Sequence, residues 1–139
     1  MTELKRTVFY DRHIALGAKM VEFAGWEMPL FYPPGIVEEH LAIRKRAGLF
    51  DVSHMGRFII RGGGALGFLQ HILTNNAEAL DPRIVGAQYT LIPNETGGAL
   101  DDAYLYRFIN EEYMLVVNAA NREKDWHYFQ SMCPGFGEL

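Results

Sequence analysis

Asn94-Glu95-Thr96-Gly97-Gly98-Ala99-Leu100-Asp101-Asp102 leads into Ala103-Tyr104-Leu105-Tyr106-Arg107-Phe108. The two glycines release the backbone, and the alternating residues after the acids predict a strand. Two adjacent carboxylates therefore stand where a loop enters a sheet. Successive strand side chains point to opposite faces, so Asp102, Tyr104 and Tyr106 share one face and Asp101, Ala103 and Leu105 the other. Neighbouring carboxylates repel, which can keep a proton available near neutrality. We read Asp102 as the acid that faces a pocket and Asp101 as the one that caps the loop.

Outward from this stretch, Ala87-Gln88-Tyr89-Thr90-Leu91-Ile92 predicts the strand before the loop, with Tyr89 in phase with Leu91 and half-buried. After the acids, Glu111-Glu112 predicts a turn and Tyr113-Met114-Leu115-Val116-Val117 a nearly continuous apolar strand. Asn118 stands at its carboxyl end, a favoured ligand position because a side-chain amide both donates and accepts. A helix follows over 122–130. Upstream, 57–61 predicts a strand, Gly62-Gly63-Gly64 a loop, and 65–73 a helix with Leu66, Leu69 and Leu73 on one stripe. No Lys-Ser or Lys-Thr follows the glycines, so they form no phosphate loop.

The first third is harder to place. Asp11 to Gly17 predicts one helical turn with Asp11 as N-cap, and 19–30 a strand that bends at Gly25, with Phe23 and Trp26 in the core. Pro33-Pro34-Gly35 opens a helix over 36–47. Glu38 and Glu39 at its start and Arg44, Lys45 and Arg46 at its end suit the helix dipole, each favourable charge contributing roughly 0.3–1 kcal/mol. Val37 and Leu41 mark its buried stripe, and Gly48 the C′ position. Over 49–56, strand alternation would put Phe50, Val52 and His54 on one face. Asp51, Ser53 and His54 lie too close in an extended strand to converge as a nucleophile triad, so Asp51 and His54 are given structural hydrogen-bonding roles.

The chain has 139 residues, 49% hydrophobic, with a formal charge of −4. That suits a globular protein and supplies no basic footprint for nucleic acid. One cysteine, Cys133, allows no internal disulfide and no cysteine-based metal site. With no signal-peptide core after the polar start and no apolar run near the ~20 residues that span a bilayer, a cytoplasmic protein without membrane contact is expected. The expected fold is α+β. Residues 57–139 form a compact subdomain, a mainly antiparallel sheet of ferredoxin-like type with helices on one face. Residues 1–56 offer too few strands to close a sheet and form the amino-terminal segment of a discontinuous domain.

Four stretches, in this order and at these separations, carry a resemblance: Phe23-Ala24-Gly25-Trp26-Glu27-Met28-Pro29, Phe50-Asp51-Val52-Ser53-His54-Met55-Gly56, Gly97-Gly98-Ala99-Leu100-Asp101-Asp102 and Val116-Val117-Asn118-Ala119-Ala120-Asn121. Together they resemble the amino-terminal part of the glycine cleavage system T-protein, the tetrahydrofolate-dependent aminomethyltransferase. The resemblance runs from about Thr7 to Gln130. It implies a folate-binding domain, here incomplete, and transfer of a one-carbon unit from the aminomethyl-lipoyl arm of the H-protein to tetrahydrofolate, with release of ammonia. It implies Asp102 as the catalytic group near the folate nitrogens, with Tyr89 and Asn118 lining the same pocket. Tyr106, on the Asp102 face, and Met55, in the second stretch, complete the folate-binding candidates. No metal is implied. Two other functions stay open beside it, a folate-binding module without transferase activity and a related folate-dependent demethylase. The rest of the folate cup would come from further sequence, from another chain or from self-association.

Overall fold

The structure, a computed structural model, describes residues 3–139 apart from Val85. It divides into two compact units, Met1–His54 and Met55–Leu139.

In the first unit the elements run β1 (Lys5–Arg6), α1 (Tyr10–Ala15), β2 (Lys19–Phe23), β3 (Trp26–Phe31) and α2 (Ile36–Lys45). The three strands form a sheet ordered β1-β3-β2, with β1 parallel to β3 and β2 antiparallel to it. The expected bent strand over 19–30 is thus a hairpin. Ala24 (φ 52°) and Gly25 (φ 80°) both take left-handed conformations, the requirement of the tight turn whose twist matches its strands. Alanine is a rare choice there, which is why the turn was not evident. Phe23, expected in the core, is exposed and meets His54 edge-on at 6.0 Å. Asp11 lies inside the first turn of α1, and Phe9 is the residue before it.

The helix after the prolines begins at Ile36 as expected and carries its charges at the expected ends. Its stripe differs: Val37 is exposed and no residue of α2 is fully buried. Gly48 is not in the left-handed region; its place follows from close approach, since an added Cβ would lie 2.6 Å from Cγ1 of Ile43. Nor is 49–54 a strand. The chain turns there because Asp51 is drawn to a distant partner: its Oδ2 meets His13 Nε2 at 2.8 Å, and its Oδ1 accepts from Ser53 N at 2.9 Å. His13 Nδ1 meets the Tyr32 hydroxyl at 2.8 Å, so Asp51 joins α1 to the end of β3. Burial alone would raise the Asp51 pKa, but the nearby Thr7 hydroxyl and the hydrogen bonds with His13 and Ser53 hold it well below the usual carboxylate range.

The second unit contains β4 (Gly56–Arg61), α3 (Ala65–Ile72), two short 3-10 turns (Ala77–Ala79 and Pro82–Ile84), β5 (Gly86–Pro93), β6 (Ala99–Ile109), β7 (Glu112–Val117) and α4 (Arg122–Met132). The sheet is antiparallel throughout, ordered β4-β7-β6-β5, so the first and second strands of the unit are its two edges. Alternation divides its faces. Thr90 and Ile92, Asp101, Ala103 and Leu105, and Tyr113, Leu115 and Val117 are buried. They share a core with Phe68, Leu69 and Ile72 of α3 and Phe129 of α4, which puts both helices on one face as expected. Burying each large apolar side chain contributes about 1.5–3 kcal/mol. The seam is aromatic: Phe58 stacks on Trp126 at 5.6 Å and meets Phe129 edge-on at 5.4 Å, and Phe68 meets Phe129 at 6.3 Å. Tyr89, Tyr104 and Phe108 project from the opposite face and are exposed.

Candidate active site

The acid pair lies within β6, as its third and fourth residues, rather than at the loop. The loop is folded by Asn94 instead. Its Oδ1 accepts from Thr96 N at 3.0 Å, Thr96 Oγ1 at 2.9 Å and Gly98 N at 2.8 Å, while Gly97 turns at φ 83°. The capping role expected of Asp101 is therefore taken, and strand phase turns Asp101 into the unit, where it is 7% exposed.

Asp101 is held by amides. Its Oδ1 accepts from Asn118 Nδ2 and from Asn121 Nδ2, both at 2.9 Å, and its Oδ2 from the Asn118 backbone N–H at 3.3 Å. Burial alone would raise its pKa, but hydrogen bonds from Asn118, Asn121 and Asp125 outweigh that and lower it. Asp125 of α4, fully buried beside Asp101, moves the other way. Burial first, then the hydrogen bond to Asp101 and that group's charge, push it up to about 7. The repelling acids are thus Asp101 and Asp125, not the chain neighbours Asp101 and Asp102, which point to opposite faces.

Asp102 stands on the open face. Asn118 Nδ2 donates to its Oδ1 at 2.8 Å and reaches its backbone O at 3.3 Å. Asp102 pairs with Leu91 across the β5–β6 ladder, and Tyr89, opposite Tyr104, is one step along. Burial, then a hydrogen bond to Asp102, then the charges of Asp102 and Asp101 raise the Tyr89 pKa, so its hydroxyl stays protonated and donates to the carboxylate. At 53% exposed, Tyr89 is about half-buried, and its phase with Leu91 puts both on the uncovered face.

The other candidates fall around this group. Tyr106 lies on the same face, its ring 5.2 Å from Tyr104 and, stacked, 6.1 Å from Phe108. Met55, half-buried, immediately precedes Gly56, which pairs with Val117; it is at the same end of the sheet as Asn118 and two strands from Asp102. Three residues were missed. Tyr104 was visible in the alternation, Asn121 in the Asn118-Ala119-Ala120-Asn121 stretch, but Asp125 sits in a polar helix where an acid gives no signal. The result is a carboxylate oriented by an amide and a phenol at the margin of an aromatic face. Such a group can accept a proton, or oppose a developing positive charge, beside a flat ring. Among the described residues no cluster of His, Cys, Asp or Glu could hold a metal ion, and no helix is long and apolar enough to cross a membrane.

Comparison with known proteins gives a consistent answer. The GCVT N-terminal domain family matches residues 9–137. The aminomethyltransferase of Thermus thermophilus is 53% identical over 133 residues, covering 96% of this chain and 37% of that protein. That of Deinococcus deserti is 50% identical over 136 residues, covering 98% of this chain and 37% of its own length. The crystal structure of glycine cleavage system aminomethyltransferase T from Bartonella henselae superposes with a TM-score of 0.89 at 41% identity, over 95% of this chain and 36% of that one. The chain therefore spans little more than a third of the length of the relatives it matches. The chain belongs to the glycine cleavage T-protein family, as its N-terminal domain portion.

Proposed function

We propose that this chain is the amino-terminal portion of an aminomethyltransferase of the glycine cleavage system. In this reading it takes part in transferring a one-carbon unit from the aminomethyl-lipoyl arm of a carrier protein, the H-protein, to tetrahydrofolate, with release of ammonia. The observation that carries the reading is the setting of Asp102, a carboxylate held by Asn118, with Tyr89 on the adjacent strand, at the edge of a face bearing Tyr104, Tyr106 and Phe108.

The described residues suit a flat fused-ring acceptor. The tyrosines and Phe108 offer ring surface for stacking, and the face they occupy is not covered by α3 or α4. Tetrahydrofolate, when bound, supplies the nitrogen nucleophile. Asp102 accepts the proton that nitrogen loses, or balances positive charge at the one-carbon unit; a general base contributes ~10²–10⁴-fold to such a step. Asn118 fixes the carboxylate's direction through Nδ2, and Tyr89 donates to it from the neighbouring strand. Met55 and Tyr106 lie farther out, where they would bound the ring system. A cytoplasmic setting fits the single cysteine.

The test is tetrahydrofolate titration, followed by the fluorescence of Trp26 and Trp126, of a chain extended to its relatives' length, alongside transfer from an aminomethylated lipoyl carrier. Saturable binding with ammonia release supports the proposal. Binding without transfer would favour a folate-binding module, and no saturable binding overturns both.

A further inference from the structure

Behind Asp101, away from the tyrosines, lies a carboxyl group for which the chemistry above has no use. Asp125, in the first turn of α4, has no solvent exposure, and neither of its side-chain oxygens meets an N–H or O–H donor among the described residues. An ionised carboxylate in that setting is among the costliest groups a core can hold. The group facing it is Asp101 of β6, already accepting from Asn118 and Asn121. Asn121, at the start of the same helix, brings Asp101 to this turn; two buried carboxylates set so close do not both ionise near neutrality, whereas a protonated carboxyl has an O–H to donate.

We propose that Asp125 is a neutral carboxylic acid that donates its O–H to the Asp101 carboxylate, and that it acts as a positioning residue for Asn118 and, through Asn118, for Asp102. The contacts form one line through the unit: Asp125 donates to Asp101, Asp101 accepts from Asn118, and Asn118 donates to Asp102 on the open face. No covalent step is involved, and the proton stays on Asp125 until solvent base removes it. An asparagine at 125 could donate as well; an acid differs because it can lose that donor. The charged groups acting on Asp125 are Asp101 of β6, which favours the neutral form, and Lys124 of α4, which opposes it less strongly while its Nζ is held by the Leu100 carbonyl. With the midpoint at about 7, alkaline conditions put two charges behind β6 and push Asp101 away from its amides. The consequence for Asp102 rests on the functional reading above; the shared proton does not.

The experiment uses the 139-residue chain labelled with ¹³C at aspartate carboxyls and ¹⁵N at asparagine amides, followed by NMR from pH 4.5 to 9. One carboxyl resonance is expected to titrate near 7, with the Asn118 side-chain amide signals moving at the same midpoint. In Asp125→Asn that titration disappears, and the Asn118 signals stay at their neutral-form position across the range. Should Asp125→Asn fail to fold, Asp101→Asn serves: removing the facing charge lowers the Asp125 midpoint measurably below its wild-type position, while burial still holds it above the ordinary carboxylate value of ~3.9. The proposal is overturned if every wild-type aspartate titrates below ~5, if the Asn118 amide ignores pH through 7, or if Asp101→Asn leaves the Asp125 midpoint in place. None of these readouts needs folate or a carrier, so the functional reading can fail while this holds, and the reverse.

Discussion

Asn118 Nδ2 donates to Oδ1 of Asp102 at 2.8 Å, although the two residues belong to the ends of different strands. The ladder fixes that distance: Ala103 pairs with Val117, so the residues just before and just after them are brought side by side. The same amide serves Asp101, and one substitution removes both contacts. Asn118→Leu is expected to destabilise the second unit by about 2–3 kcal/mol, because it leaves a buried carboxylate short of donors. Urea denaturation measures this, and a loss under ~0.5 kcal/mol would show that the amide is not needed there.

For Asp102→Asn the expectation is the opposite balance. The side chain lies on the open face, so a neutral isostere costs the fold less than ~1 kcal/mol. One-carbon transfer in a chain of the relatives' length falls ~10²–10⁴-fold, the usual contribution of a placed acid or base. Turnover close to wild type would remove Asp102 from the chemistry.

The raised pKa of Asp125 has a stability consequence with a definite sign. An aspartate near 3.8 unfolded and about 7 folded binds a proton in the native state that the unfolded state has lost. Stability from this group is present below pH 3.8 and declines as pH rises to about 7, then levels off. The decline should be on the order of 1–3 kcal/mol, less than the full shift implies because the lowered pKa of Asp101 works against it. Thermal melts of wild type and Asp125→Asn across pH 4–8 are expected to diverge by that amount, the variant being flat.

Asp51 carries the reverse dependence. Its pKa is held below the unfolded value, so its contribution is present above pH 3.8 and lost as pH falls below it. Asp51→Ala removes the partner of His13 and Ser53 and is expected to cost about 2–4 kcal/mol. Hydrogen exchange locates the effect: amides of α1 and β3 speed up, while those of β6 and β7 hold.

What the sequence revealed follows from how local each determinant is. The phase of β6 was legible because a strand has a strict two-residue period, and Asp101, Ala103 and Leu105 are all buried as that period requires. The core strand Tyr113-Met114-Leu115-Val116-Val117 was legible for a different reason, its nearly continuous run of apolar and β-branched residues. The hairpin at Ala24-Gly25 was hidden by an alanine in a conformation that glycine or asparagine usually fills. The loop at 49–54 imitates a strand, and it turns because Asp51 reaches His13, 38 residues earlier, while accepting from Ser53 N. Asp125 was beyond reach: with Phe129 it forms the buried face of α4, but an acid at a helical position reads as solvent-facing until its neighbour is known.

A register irregularity separates Ile92 from Pro93 on β5, opposite the start of β6, where Ile92 pairs with Asp101 and Pro93 with Ala99. It works as an expansion joint. Length changes confined to 94–98 are absorbed before the ladder becomes regular, so they leave the orientation of both acids untouched. An insertion of one residue between Ala103 and Leu105, where the ladder on both sides of β6 is regular, has no such outlet. It would exchange the two carboxylates between faces, burying Asp102, the proposed proton acceptor, against α4 and presenting Asp101 to the open side. Length changes are therefore tolerated before Asp101 and punished after it.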